Sequence, residues 1–364
     1  MNSIRVLVVD DSAFLRRSLS RILETEPRIK VIGTAANGQE AVEMANSLRP
    51  DVITLDVLMP IMDGITALRH IVRDTNARVV MISSVTQEGA GQTIEALSLG
   101  AFDFIAKPSG PTSLDIGKVR SELIHKIITA YEGKTRRPVP GDVAAQKLKR
   151  IVSETSAVAS AFPDRTTISG EWARNKKELI AIAASTGGPA ALQVVLAGLP
   201  RDLPAGLVMV QHMSDGFTKA LAERLDSVSP LEIKVCANSE MIRPGIGLLA
   251  PTGSHLTVKR IHGKLHAILS SYPELTMHRP SADILFRSVA EACGPSVCAV
   301  ILTGMGNDGA EGMKEIRARG GTTIAQDEAT SVVFGMPKAA IEKKGIKIVA
   351  PLENISEQIL ASLS

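Results

Sequence analysis

Short β-rich runs alternate with helical patterns in two blocks of this sequence, and an irregular stretch separates them. In the first block the candidate strands are IRVLVV (4–9), KVIGT (30–34), VITL (52–55), RVVMI (78–82) and FDFIA (102–106). Amphipathic segments lie between them, as where Leu15, Leu19, Ile22 and Leu23 share one helical face. Such alternation dictates βα units and a parallel sheet covered on both faces. The pattern then dissolves into Pro, Gly, Ser and basic residues, which reads as a linker with a short helix around VAAQKLKRIV. It resumes with the strand ELIAIAA and a helix carrying Leu192, Val195, Leu196 and Leu199. GLVMV (206–210), IGLLA (246–250) and SVCAVILTG (296–304) are further strand candidates, with a hairpin-like insert near 254–270. The expected class is α/β: two doubly wound domains with mainly parallel sheets, over 1–130 and 176–364, joined by a linker over 131–175. A chain of 364 residues is long enough for two cores.

Composition narrows the function. A net charge of +3 gives no basic stripe for nucleic acid or a membrane surface, and 3% aromatic residues leave little for base stacking. Cys236, Cys293 and Cys298 have no metal-ligand spacing and suit a reducing cytoplasm. The opening MNSIRVLVVDDSAF is apolar too briefly for a secretory leader, and no uncharged stretch reaches membrane length. A cytoplasmic protein without direct membrane insertion is expected.

Asp10 and Asp11 follow the first strand and Asp56 the third. In a doubly wound sheet ligands bind beyond the carboxyl ends of the strands. Three carboxylates there repel one another unless a cation neutralises them, and hard oxygen donors favour Mg²⁺. Lys107 closes the fifth strand with an ammonium and Ser83 ends the fourth with a hydroxyl. The set suits phosphoryl transfer onto Asp56, with metal and lysine offsetting the phosphoryl charge. Asp11 by itself, before SAFLRRSL, reads as a helix cap.

In the second block, IAIAASTGGPAAL carries Ser185 at a strand-to-helix corner. AASTGG is a relative of the nucleophile elbow, but a structural turn or a phosphate-cradling turn fits the same letters. A serine nucleophile needs a base and a group that orients the base. His212 ends the next strand in LVMVQHMSDGFT, and Asp308 follows a strand in VILTGMGNDGAEGM. A structural histidine and a turn or capping aspartate are the alternative readings of those two. His255, in APTGSHL, is a rival base, whereas HGKLH (262–266) lacks the glutamate of a zinc protease motif.

VLVVDDSAFLRRSL, DVITLDVLMPIMDG, MISS and FDFIAKP resemble the flavodoxin-like receiver domain of response regulators, in order and spacing. The resemblance implies Asp56 as phosphoacceptor and Mg²⁺ held by Asp10, Asp11, Asp56 and the backbone carbonyl of Leu58. It also implies Ser83 and Phe104 as switch residues and Lys107 as the phosphoryl contact. ASTGGP, QHM…GFT and LTGMGNDG resemble the chemotaxis-type protein-glutamate methylesterases, whose α/β catalytic domain follows such a receiver. That resemblance implies Ser185 as nucleophile, His212 as general base, Asp308 as the orienting carboxylate, and Thr186 and the backbone of Met305 near the oxyanion. Ala183 stands where the family usually has Gly, and Ser214 where it usually has Pro after HM; both changes are small.

The family's activity is hydrolysis of glutamyl methyl esters on chemoreceptor cytoplasmic helices, with methanol released and particular receptor glutamines deamidated. The implied partners are methylated chemoreceptors as substrate and a chemotaxis-type histidine kinase as phosphodonor; no nucleic acid is expected, and no cofactor is needed for the ester chemistry. The unphosphorylated receiver is expected to restrict access to the Ser185 edge, and phosphorylation of Asp56 to relieve it. A rival class is a response regulator whose second half only binds a partner on an inactive esterase scaffold. A DNA-binding regulator is disfavoured by the lack of a helix-turn-helix pattern.

Overall fold

The computed structural model describes residues 3–84, 86–107, 113–135, 177–273 and 276–363. The chain divides into two compact units, Met1–Ala145 and Gln146–Ser364. Most of the expected linker, with its helix around VAAQKLKRIV, lies outside the described residues.

The first unit alternates strictly: β1 (Ile4–Val9), α1 (Ala13–Leu23), β2 (Ile29–Ala35), α2 (Gly38–Leu48), β3 (Val52–Asp56), α3 (Gly64–Asp74), β4 (Arg78–Ser83), α4 (Gln87–Leu99), β5 (Asp103–Ala106) and α5 (Ser113–Thr135). The five strands pair in parallel in the order β2-β1-β3-β4-β5. Val6, Leu7, Val8 and Val9 are all buried because helices cover both faces of the sheet. Ser12, Asn37, Asp63 and Thr86 each turn a side-chain oxygen to a backbone N–H of the helix that follows, so the loops end where a cap residue stands. The strand order reverses beside β1, so the ends of β1 and β3 open a crevice between them.

The second unit runs β6 (Leu179–Ala184), α6 (Gly188–Ala197), β7 (Gly206–Gln211), α7 (Thr218–Val228), β8 (Glu232–Val235), β9 (Glu240–Met241), β10 (Ile246–Leu249), β11 (His255–Ile261), β12 (Lys264–Ser270), α8 (Ala282–Cys293), β13 (Val297–Ile301), α9 (Ala310–Ala318), β14 (Thr322–Gln326), α10 (Met336–Glu342), β15 (Ile348–Ala350) and α11 (Ile355–Leu363). Seven strands form a parallel sheet in the order β15-β14-β13-β6-β7-β10-β8. The hairpin expected near 254–270 is β11 and β12, which β9 extends to a three-stranded antiparallel sheet. One core joins Ala181, Ala183 and Val208 of the large sheet to Phe286 of α8 and Val258 of β11. The order reverses at β6, between β7 and β13, so the loops after these three strands share one edge.

Candidate functional sites

At the first crevice, Asp10 leaves the end of β1 fully buried, Asp56 ends β3 buried, and Asp11 is exposed. One carboxylate oxygen from each lies within 4.8 Å of the others. Lys107, just past β5, holds its Nζ 2.7 Å from Asp56 Oδ2 and 3.0 Å from Asp10 Oδ2. The acidic end is built tightly: Ser12 N–H donates to Asp10 Oδ1 at 2.9 Å, and Arg16 Nη1 donates to the carbonyls of Asp10 and Asp11. A Cβ at Gly64 would come within 1.9 Å of the Asp56 carbonyl oxygen, so only glycine lets α3 begin this close to Asp56. Burial pushes the Asp56 carboxyl up to about 6, against the pull of Lys107.

Three carboxylates facing one ammonium leave a deficit of positive charge, and all the donors are hard oxygens. The residues present therefore fit a divalent cation such as Mg²⁺. Leu58 lies beyond β3 with its side chain exposed. Ser83 Oγ donates to the Gly89 carbonyl at 3.1 Å, so its hydroxyl engages the start of α4. Phe104 is buried, and Lys126 from α5 donates to its carbonyl while lying 5.3 Å above its ring.

At the second edge, Ser185 follows β6 directly. Its N–H donates to the Thr303 carbonyl at 3.0 Å, and its carbonyl accepts from Gly188 N–H at 2.7 Å. Gly187 caps α6 with φ 75°, a left-handed conformation that glycine adopts without strain. The serine therefore stands before a helix N-terminus, where unpaired N–H groups carry partial positive charge. His212 follows β7 and is tied to the same strand end, its N–H donating to the Ala184 carbonyl at 3.0 Å.

His212 Nε2 lies 2.8 Å from Asp308 Oδ2. Asp308 also accepts from Ser281 Oγ at 2.8 Å, Ala282 N–H at 2.7 Å and Asp283 N–H at 3.0 Å. Burial would push its carboxyl up, but His212 above all, with the Asp283 and Ala282 N–H groups, outweighs it and holds the group well below the usual carboxylate range. Asp308 thus combines the two roles weighed for it: it contacts His212, and it satisfies the open N–H groups of α8 rather than those of α9. A carboxylate only accepts, so Nε2 carries a proton towards Asp308, and in the neutral imidazole Nδ1 then holds the lone pair. Nδ1 is buried and has no hydrogen-bond partner among the described residues. Among the described residues no hydrogen bond joins Ser185 Oγ to His212, and such contacts are often open before substrate binds.

Thr186 is buried and its carbonyl accepts from Thr303 Oγ1, while Met305 lies in the turn after β13 that leads to Asp308. The rival base His255 is fully buried: its Nδ1 accepts from Ser281 N–H at 3.2 Å, and Nε2 lies 3.1 Å from the Pro273 carbonyl. It pins a loop and has no free nitrogen for a substrate. Burial pushes the Cys236 and Cys293 thiols up to about 12 and Cys298 up to about 11, so none supplies a thiolate. Two residues at this edge gave no sign in the sequence. Gln211 donates from Nε2 to the carbonyls of both Ser185 and His212, at 2.9 and 2.8 Å. His278 stacks on His212 with ring centroids 4.1 Å apart and planes 12° from parallel.

A family model described as CheB methylesterase matches residues 180–359, and one described as response regulator receiver domain matches residues 6–116. A protein-glutamate methylesterase/protein-glutamine glutaminase of Geobacillus kaustophilus is 44% identical over 99% of this chain and 99% of its own. One of the same description from Archaeoglobus fulgidus is 45% identical over 99% of this chain and 98% of its own. The crystal structure of the Thermotoga maritima CheB methylesterase catalytic domain is 41% identical, with a TM-score of 0.50 over 51% of this chain and 98% of that one. Similar to such relatives along nearly the whole length of both chains, the protein belongs to the CheB methylesterase family that carries an N-terminal response regulator receiver domain.

Proposed function

We propose that the protein hydrolyses glutamyl methyl esters on chemoreceptor cytoplasmic helices, deamidates receptor glutamines at the same site, and is activated by phosphorylation of Asp56 by a chemotaxis-type histidine kinase. The observation that carries the esterase reading is the His212–Asp308 pair, with a bare, buried Nδ1 at the strand edge that also ends in Ser185. In this reading Ser185 Oγ attacks the ester carbonyl while His212 Nδ1 takes its proton. Asp308, kept ionised by His212 together with the Asp283 and Ala282 N–H groups, stabilises the resulting imidazolium through Nε2–H. Backbone N–H groups near Thr186 and Met305 face the oxyanion. His212 returns the proton to the departing methoxide, giving methanol, and then activates water to release glutamate and restore Ser185. With a glutamine substrate the leaving group is ammonia.

At the receiver, Asp56 is the phosphoacceptor, and Asp10, Asp11, Asp56 and the Leu58 carbonyl hold Mg²⁺. When bound, the metal offsets charge on the phosphoryl oxygens. Lys107 already bridges Asp56 and Asp10 and remains to pair with the phosphoryl group, while Ser83 and Phe104 carry the change outward. The domain division that goes with this reading is a receiver over 1–130, a linker over 131–175 and an esterase over 176–364. The test is methanol release from a methylated receptor. Ser185→Ala is expected to abolish it in phosphorylated protein, and retained release would sink the assignment.

A further inference from the structure

We propose that His278 is a positioning residue of the esterase site: its ring face holds the His212 imidazole in the plane that keeps Nε2 on Asp308 and leaves Nδ1 bare. The inference rests on the reading of His212 as the general base. A hydrogen bond from Nε2 restrains one edge of the imidazole but not its plane. Rotation about the Cβ–Cγ bond swings the ring atoms out of plane, and on one side they would meet His278, whose centroid is 4.1 Å away and nearly parallel. The stack thus blocks the motion that the hydrogen bond alone tolerates.

Its own segment is fixed on both flanks. Thr276 Oγ1 donates to the His278 carbonyl at 2.9 Å, and Gly253 N–H donates to the Arg279 carbonyl at 3.2 Å. Ser281 N–H donates to the buried His255, and Ser281 Oγ donates to Asp308. The stretch 276–281 therefore supplies the face that packs on His212 and a donor that orients Asp308. His255 anchors it, which gives that histidine a purpose other than base catalysis.

The charge state suits the role. Burial, with His212 adding to it and Asp308 opposing, pushes His278 down to about 4, so the ring is neutral near pH 7. A neutral ring face attracts the imidazolium that forms on His212 during acyl transfer, where a second cation would repel it. Arg279, next in the chain, adds its charge to burial in pushing His255 down.

The experiment uses the full chain and methanol release from a methylated receptor. His278→Ala, and His278→Leu, which fills space without a flat ring, are expected to lower kcat about tenfold or more with KM nearly unchanged, and His278→Phe to recover most of it. The ¹⁵N spectrum of the His212 ring provides a readout independent of turnover. At a pH where the ring is neutral, wild type and the Phe variant are expected to show the single Nε2–H tautomer, and the Ala and Leu variants a mixture. Wild-type kcat or a single tautomer in the Ala or Leu variant overturns the proposal, as does a Phe variant no better than Leu. Ser185→Ala and His212→Ala run in parallel test the underlying reading: activity surviving in them sinks that reading. Activity lost in them but intact in His278→Ala sinks the stacking role alone.

Discussion

Gln211 ends β7 and makes a connection that neither its position nor its neighbours announce. Its side-chain amide sits buried between two carbonyls, those of Ser185 and His212, and only an NH₂ group can donate to both. The proposed nucleophile and base are thus joined through one side chain as well as through the His212 N–H to Ala184. Oε1 lies where a Cβ on Gly188 would come within 2.0 Å, so the glycine after the αL turn makes room for the amide. Replacing Gln211 by Met keeps the bulk and removes both donors, which is expected to cost about 1–3 kcal/mol of stability. Because both reacting groups shift together, kcat is expected to fall on the order of 10- to 100-fold. Gln211→Glu should do worse, since a carboxylate would face two carbonyl oxygens. Urea denaturation and methanol release check the two effects, and a Met variant with wild-type kcat would limit Gln211 to filling space.

Among the helices of the first unit, α5 reaches β5 through one buried ammonium. Lys126 Nζ lies 3.3 Å from Asp103 Oδ1 and 3.0 Å from Glu122 Oε1, and it donates to the Phe104 carbonyl. Burial lowers its affinity for a proton, but the two carboxylates outweigh burial and keep it charged. Lys126→Met removes the cation facing the buried Asp103 carboxylate, which keeps the Phe104 N–H as a donor, and the strand–helix contact is expected to loosen by roughly 1–3 kcal/mol. Hydrogen exchange gives the resolution to see it: amides of β5 and α5 should exchange faster while those of β6, β7 and β13 keep their rates. An unchanged β5 would show that the apolar core alone fixes Phe104. Such tertiary links were invisible in the sequence, whereas the elements they join were mostly legible. Continuous apolar runs such as LIAIAA and VLVV announce strands buried on both faces. β14 escaped because three of the five residues in its sequence, TTIAQ, are polar, although every residue in it is buried. Its polar groups are satisfied across the sheet: Gln326 Oε1 accepts from Thr303 N–H, and Thr323 Oγ1 accepts from Lys347 N–H. β15 and β9 are too short for any period to register. At the site, Ser185, His212 and Asp308 could be singled out because each follows a strand. Gln211, His278 and Ser281 could not, because their roles depend on which loops the topology brings to one edge.

At the scale of the whole molecule, two doubly wound units each gather their chemistry at a point where strand order reverses, beside β1 in one and β6 in the other. The first collects charge that its own residues do not balance: Asp10, Asp11 and Asp56 against Lys107. The second is balanced internally, with Asp308 fully supplied with donors and His212 Nδ1 left bare for chemistry. This difference separates their requirements. In the proposed reading the ester chemistry uses only the chain and water, while phosphorylation of Asp56 calls for a divalent cation to offset the crowded carboxylates. Full-length protein treated with a small phosphodonor is therefore expected to incorporate phosphate only when Mg²⁺ is present, and Asp56→Asn to incorporate none. Methanol release should rise with phosphodonor and Mg²⁺ together in the wild type and show no response in Asp56→Asn. Removing the metal with a chelator should abolish that rise but leave release by the unphosphorylated enzyme unchanged, because no residue at the Ser185 edge belongs to the acidic cluster. If the chelator also stopped unphosphorylated turnover, the second site would have a metal requirement that this division of labour does not allow. If Asp56→Asn still responded to phosphodonor, the control would lie at a residue other than Asp56.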